Sequence, residues 1–154
     1  MLKVAWIIDD NVETRDVMVL MVRLLGYDGR GFSGARAAAE ALIAGEMPDL
    51  IFLDINMPGV SGMEFLGFIR SRDMWKTLPV LMLTAESAEN MVELAIRLGA
   101  DGYIFKPINL EELEMAIPVA MQRRKIASTG GTGELKYAGT PAMLPAAKFF
   151  GSKM

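Results

Sequence analysis

The chain has 154 residues, enough for one domain with a real core, and its 52% hydrophobic and 23% charged content is that of an ordinary globular protein. It holds neither cysteine nor histidine, which excludes disulfides, thiolate chemistry, His-based metal sites, Ser-His or Cys-His nucleophiles and phosphorylation of a histidine of its own. The net charge of −3 is split unevenly: residues 1–125 carry 13 basic and 18 acidic side chains, residues 126–154 three basic and one acidic, and no basic patch is dense enough for nucleic acid.

No apolar stretch approaches the ~20 residues of a membrane span. The opening Met-Leu-Lys-Val runs directly into an apolar segment, leaving no room for a signal peptide, so a cytoplasmic protein is expected.

Val4-Ala5-Trp6-Ile7-Ile8 is short, branched and bounded by polar residues, and predicts a buried first strand. Asn11 is placed to cap the helix that follows, in which Val17, Leu20, Met21, Leu24 and Leu25 recur at helical spacing before Gly26 ends it. Residues 27–33 supply a second strand, weakened by Gly29 and Gly31 and best tolerated at a sheet edge. An alanine-rich helix over 34–44 stops at Gly45. Leu50-Ile51-Phe52-Leu53 predicts the third strand, and Ser61-Gly62-Met63-Glu64 opens a helix through Arg70. Pro79-Val80-Leu81-Met82-Leu83 predicts the fourth strand, followed by a helix over 87–98 closed by Gly99. Gly102-Tyr103-Ile104-Phe105 predicts the fifth, followed by a helix from Leu110 toward Lys125 with Asn109 as its cap. Pro118 inside that helix should kink it or divide it in two.

Alternating strands and helices give an α/β chain, a (βα)5 doubly wound parallel sheet of flavodoxin-like type with strand order 2-1-3-4-5. The pattern dissolves from Ile126. The expectation is one domain over 1–125 and a flexible tail over 126–154, with a Gly-rich linker, no output domain and no DNA-binding domain.

Polar residues fall where the apolar runs end: Asp9 and Asp10, Asp54, Thr84, and Lys106 before Pro107. In an open parallel sheet these positions meet at one edge, where ligands bind. Three carboxylates there repel one another, and a cation relieves that repulsion. Mg2+ suits them, because it takes oxygen ligands and keeps several waters. Asp10 and Asp54 are assigned as direct ligands, Asp9 acts through a water, and the backbone carbonyl of Asn56 completes the set. Asp54, exposed beside the Pro58-Gly59 turn, could attack phosphorus next to such a metal. Lys106 could pair with Asp54 at rest and with a phosphoryl oxygen later, and Thr84 could donate to that oxygen. Each residue also has an ordinary reading. Asp9-Asp10 would cap the first helix, Asp54 would be a turn residue, Lys106 a surface lysine and Thr84 the cap of the fourth helix.

Together, Ile7-Ile8-Asp9-Asp10-Asn11, Leu53-Asp54-Ile55-Asn56-Met57-Pro58 with Gly62 downstream, Leu83-Thr84-Ala85 and Gly99-Ala100-Asp101-Gly102-Tyr103-Ile104-Phe105-Lys106-Pro107 carry a resemblance over residues 3–125. The chain resembles the response-regulator receiver domains of two-component signalling. The resemblance implies that Asp54 accepts a phosphoryl group from a phosphohistidine on a histidine kinase or histidine phosphotransfer protein. It also implies a Mg2+ requirement with Asp9 and Asp10 as the acidic pair, Thr84 and Tyr103 as a switch pair, and Lys106 as the phosphate contact. Partners would bind the face of helix four, strand five and helix five, and the chain would act as a switch rather than an enzyme. Asn56 and Glu86 occupy the two positions that tune phosphate lifetime in this family, and their pairing is similar to single-domain chemotaxis receivers.

Three other readings compete. A Mg2+-dependent phosphatase of haloacid dehalogenase type would use an Asp nucleophile in a D-x-D after the first strand, where this chain has Asp9-Asp10-Asn11. A flavin-binding flavodoxin would need a Ser/Thr/Gly-rich loop there. A phosphorylation-independent scaffold would have no need of the lysine and both acidic residues.

Overall fold

The computed structural model describes residues 1–85 and 89–129. Ten elements alternate: β1 (Val4–Ile8), α1 (Val12–Leu24), β2 (Asp28–Phe32), α2 (Ala35–Ile43), β3 (Leu50–Asp54), α3 (Gly62–Arg70), β4 (Val80–Ala85), α4 (Glu89–Arg97), β5 (Gly102–Lys106) and α5 (Leu110–Ser128). The strands form one parallel sheet in the order β2-β1-β3-β4-β5, as the sequence predicts. Among the described residues no helix is long and apolar enough to cross a membrane.

The central strand β3 is buried at every position, which is why its sequence is an unbroken apolar run rather than an alternation. Its two faces feed two cores. On one, Ile51 and Leu53 pack with Ala38 and Leu42 of α2, Phe65, Leu66 and Ile69 of α3 and Ala95 of α4. On the other, Leu50 and Phe52 pack with Met18 and Val22 of α1 and Leu113, Ile117 and Ala120 of α5. Three helices therefore cover one face and two the other. Truncating a side chain as buried as Phe52 costs roughly 3–5 kcal/mol in such a core.

The caps fall where the sequence places them. Asn11 Oδ1 accepts from the Thr14 N–H at 2.9 Å, and Asn109 Oδ1 from Glu112 N–H at 2.8 Å. Ser61 and Glu64 form a reciprocal capping box at the start of α3. Gly26, Gly45, Gly59 and Gly99 stand at positive φ where helices or turns end.

β2 is an edge strand, and its glycines have a packing cause. A Cβ on Gly29 would stand 2.7 Å from the Val22 side chain and 3.2 Å from the Val19 carbonyl, and one on Gly31 would meet the Arg15 stem at 2.8 Å. The glycines let α1 lie close against the edge of the sheet.

Three expectations need correction. On α1 the side turned to the sheet carries Met18 and Val22, with Val19, Met21 and Leu25 partly buried, while Val17, Leu20 and Leu24 are exposed. Apolar residues surround more than one side of this helix, so spacing alone did not choose the buried one. α5 ends at Ser128, three residues past Lys125 and inside the stretch assigned to the tail, and of the kink or division expected at Pro118 the division does not occur, since the helix runs through it as one element. Pro118 is exposed, so water can reach the Glu114 carbonyl that lacks its usual helical donor. The third correction concerns Asp54 and belongs to the site below. The tail predicted for 126–154 lies outside the described residues from Gly130 onward.

At the amino-terminal end of β5, a buried carboxylate gathers two arginines. Asp101 Oδ2 accepts from Arg70 Nη2 at 3.0 Å and from the Val80 N–H at 2.9 Å, and its Oδ1 accepts from Arg124 Nε at 2.8 Å. Both guanidiniums also donate to the Gly99 carbonyl. Burial pushes the Arg70 guanidinium down to about 9, with Asp101 pulling the other way. This network ties α3, the α4–β5 connection and α5 together at the sheet edge opposite the candidate site.

Candidate functional site

The site forms at the carboxyl edge of the sheet, where the strand order reverses between β1 and β3. Ile8 pairs with Leu53, so the next residues along, Asp9 and Asp54, emerge side by side. One carboxylate oxygen from each of Asp9, Asp10 and Asp54 lies within 4.8 Å of the others. Asp9 is fully buried, Asp10 is exposed, and Asp54 is only 6% exposed. Asp54 was expected to stand exposed beside its turn. It is instead the last residue of β3, buried where the start of α3 closes on it.

That closure depends on Gly62. Its N–H donates to the Ile55 carbonyl at 3.0 Å, and a Cβ there would fall 2.0 Å from the Asp54 carbonyl oxygen. Only a residue without a side chain lets α3 start so close to the acid-bearing strand end.

Asp9 is held on three sides. Its N–H donates to the Phe32 carbonyl at 3.1 Å, its own carbonyl accepts from Arg15 Nη1 at 2.8 Å, and its Oδ1 accepts from the Asn11 N–H at 2.9 Å. Its Oδ2 lies 2.9 Å from Lys106 Nζ, which also reaches Asp54 Oδ1 at 3.3 Å. Asn11, not the acidic pair, caps α1, which disposes of the reading of Asp9-Asp10 as helix caps. Lys106 is no loose surface lysine, since its ammonium bridges two carboxylates.

Electrostatics follow from this crowding. Burial first, and then the negative charge of Asp9, raise the Asp54 carboxyl from 3.8 to about 6, with Lys106 partly offsetting both. Burial works against the Lys106 ammonium, but its bonds to Asp9 and the attraction of both carboxylates outweigh that and leave it raised. Three acids against one lysine leave a negative cluster that a divalent cation would balance. The donor set, oxygens only and one of them exposed on Asp10, fits a hard cation.

Thr84 is buried inside β4, which runs on through Ala85, so it is not the cap of the helix that follows. Its register partner is Phe105, and Asp54 pairs with Leu83, so Thr84 lies one step beyond the neighbour of Asp54. Lys106 pairs with Ala85. Tyr103 is 45% exposed and packs edge-on against Phe105 at 5.3 Å, on the side of β5 opposite the buried Ile104. Asn56 is exposed in the loop after Asp54, and Glu86 lies outside the described residues. Sequence reasoning missed Arg15. The i+4 spacing from Asn11 was visible, but nothing local showed that its guanidinium would reach back to the Asp9 carbonyl.

Comparison with known proteins identifies the family of the fold. The response regulator receiver domain family model covers residues 5–118. The phosphate regulon transcriptional regulatory protein PhoB of Pseudomonas aeruginosa is 31% identical over 121 residues, covering 79% of this chain and 52% of that protein. The transcriptional regulatory protein TctD of Salmonella typhimurium is 41% identical over 102 residues, covering 66% of this chain and 43% of that one. The chain therefore spans about half the length of these curated relatives, or less. Among solved structures, the chemotaxis response regulator CheY4 of Vibrio cholerae superposes with a TM-score of 0.71 at 28% identity, covering 78% of this chain and 99% of that one. Neither the dehalogenase-type phosphatase nor the scaffold reading is favoured by these matches. The chain belongs to the response regulator receiver domain family, and its fold and acidic edge are those of a phosphoacceptor switch in two-component signalling.

Proposed function

We propose that Asp54 is the phosphoacceptor and that its phosphorylation reshapes the surface formed by α4, β5 and α5. One observation carries this reading: the buried Asp54 carboxylate sits in a cluster of three acids with the Lys106 ammonium 3.3 Å away. An Asp54 oxygen attacks the phosphorus of a partner's phosphohistidine. The new O–P bond forms as the N–P bond breaks, and the imidazole leaves with the electron pair. Bound Mg2+ would neutralise charge on the transferring oxygens. Asp10, Asp54 and the Asn56 carbonyl are its proposed ligands, with Asp9 acting through a water. The Asp9 oxygens already engaged by Asn11 and Lys106 support that outer role. At neutral pH most Asp54 is ionised, as a nucleophile must be, since its carboxyl titrates near 6.

The donor is a histidine kinase or histidine phosphotransfer protein. The chain promotes only its own phosphorylation and dephosphorylation. Asn56 and Glu86 set the lifetime. The phosphoryl group adds charge of about −1.5 to −2, by analogy with other phosphorylated side chains. Lys106 and the Thr84 hydroxyl are the groups available to meet it. Thr84 moving inward would vacate space that Tyr103, now outward, could fill. Met91 and Leu94, partly buried on α4, would then shift with it. A bias of a few kcal/mol between the two states suffices.

Beryllofluoride, which mimics a phosphoryl group on a carboxylate, tests this by NMR in the presence of Mg2+. Shifts should appear around Asp9, Asp54 and Lys106 and extend to α4 and Tyr103. Shifts confined to the three loops would overturn the switch, and none at all would overturn the acceptor.

A further inference from the structure

The face of α5 turned away from the sheet is apolar and uncovered among the described residues. Leu113, Ile117 and Ala120 bury the inner face, yet Met115 is 73% and Val119 49% exposed on the outer one. Met115, Val119, Gln122 and Ile126 follow one another at spacings of four, three and four, so they form a single stripe. Pro118, Val119, Gln122, Arg123 and Ile126 line a shallow groove of about 320 Å³ toward the carboxyl end of the helix. Toward its amino end the same helix exposes Glu111, Glu112 and Glu114.

The chain itself supplies a segment of matching chemistry. Residues 130–154 follow directly on Thr129, the C-cap of α5. They carry the apolar groups Met143-Leu144 and Phe149-Phe150, with Lys136, Lys148 and Lys153 against the single acid Glu134. We propose that the segment around residues 143–150 folds back onto the outer face of α5. Its apolar groups would lie along the Met115–Val119–Ile126 stripe and Lys148 toward the glutamates of the first turns.

Reach and charge both favour this occupant. Leu144 lies fifteen steps along the chain from Thr129, and at ~3.3 Å each these span ~50 Å, well beyond the ~28 Å of a 19-residue helix. A tether this short holds the segment at roughly millimolar effective concentration, so weak apolar contacts suffice. Residues 1–129 hold 13 basic and 18 acidic side chains, so a second copy would bring like charge against these glutamates, whereas the segment is net basic. The contact itself does not depend on Asp54 chemistry. If the proposed partner face is right, a partner reading α5 must first displace the segment.

The absence of cysteine makes the test clean. A nitroxide is attached at Ser152→Cys in the full chain, and its broadening of backbone amides is read by NMR. Amides between Met115 and Ile126 should broaden at least twofold more than those of α2 and α3, with no change on tenfold dilution. The full-length variants Val119→Glu and Phe149→Ser/Phe150→Ser should each abolish that selectivity. Broadening that is uniform, that survives both variants, or that arises only when labelled protein is mixed with isotope-enriched unlabelled protein would overturn the proposal, the last in favour of a second copy. Labelling of Asp54 by a small phosphodonor reports separately on the acceptor site.

Discussion

Lys106 stands closer to Asp9 than to Asp54, its ammonium 2.9 Å from the first carboxylate and 3.3 Å from the second. Asp9 is fully buried, so Lys106 is its counter-ion as well as the proposed phosphate contact. Lys106→Ala should therefore cost stability as well as phosphorylation. Leaving a buried charge without its partner costs about 3 kcal/mol. Urea denaturation at neutral pH measures the loss, and Lys106→Arg should recover part of it. An Ala variant as stable as the wild type would show that Asp9 does not depend on the lysine.

Asp54 makes stability pH-dependent. Its carboxyl, raised to about 6 in the fold against 3.8, keeps a proton that the unfolded chain releases between those values. Stability should therefore fall as pH rises from about 4 to about 6 and stay low above. Without metal, the melting temperature of the wild type relative to Asp54→Asn should rise as pH drops from 7 to 5. Adding Mg2+ at pH 7 should raise the wild-type melting temperature, because it binds the native cluster, and the gain should shrink toward pH 5. A wild type that runs parallel to Asp54→Asn across this range would contradict the raised carboxyl.

Gly62→Ala places a methyl 2.0 Å from the Asp54 carbonyl oxygen, against backbone that cannot rotate away. A loss of about 2–3 kcal/mol or more is expected, with Asp54 labelling impaired at temperatures where the variant is still folded. Gly34→Ala, where a Cβ meets open space, is the control and should change neither.

The Asp101 network should matter to the fold and not to the chemistry. Asp101→Ala removes the carboxylate shared by two largely buried guanidiniums, leaving them only carbonyl partners, and should cost about 3 kcal/mol by urea denaturation. Below its unfolding transition, labelling of Asp54 should be retained, because the network sits at the other end of the sheet.

The strand ends were legible because a parallel sheet writes each strand as a short apolar run, and the first polar residue after it is at the ligand-binding edge. That is how Asp9, Asp54, Thr84 and Lys106 were found. Local sequence said less about contacts made across the chain. The glycines of β2 read as weakness, because the side chains that press on them, Val22 and Arg15, lie on α1. α1 is apolar on more than one side, so its period did not reveal that Met18 and Val22 face the core. Asp54 read as exposed because the Pro58-Gly59 turn is visible in sequence, and the closing of α3 over it through Gly62 is not. Arg70, Asp101 and Arg124 meet across 23 to 31 residues, beyond any local pattern.

The central claim is that Asp54 is the residue that takes the phosphoryl group. The direct measurement is treatment of the full chain with acetyl phosphate and Mg2+, followed by mass spectrometry and acid and base stability of the label. The account predicts one acyl phosphate, stable in acid and labile in base, located on Asp54, lost in Asp54→Asn and reduced without Mg2+. An Asp54→Asn variant that labels as well as the wild type, or a label mapped to another residue, would contradict it.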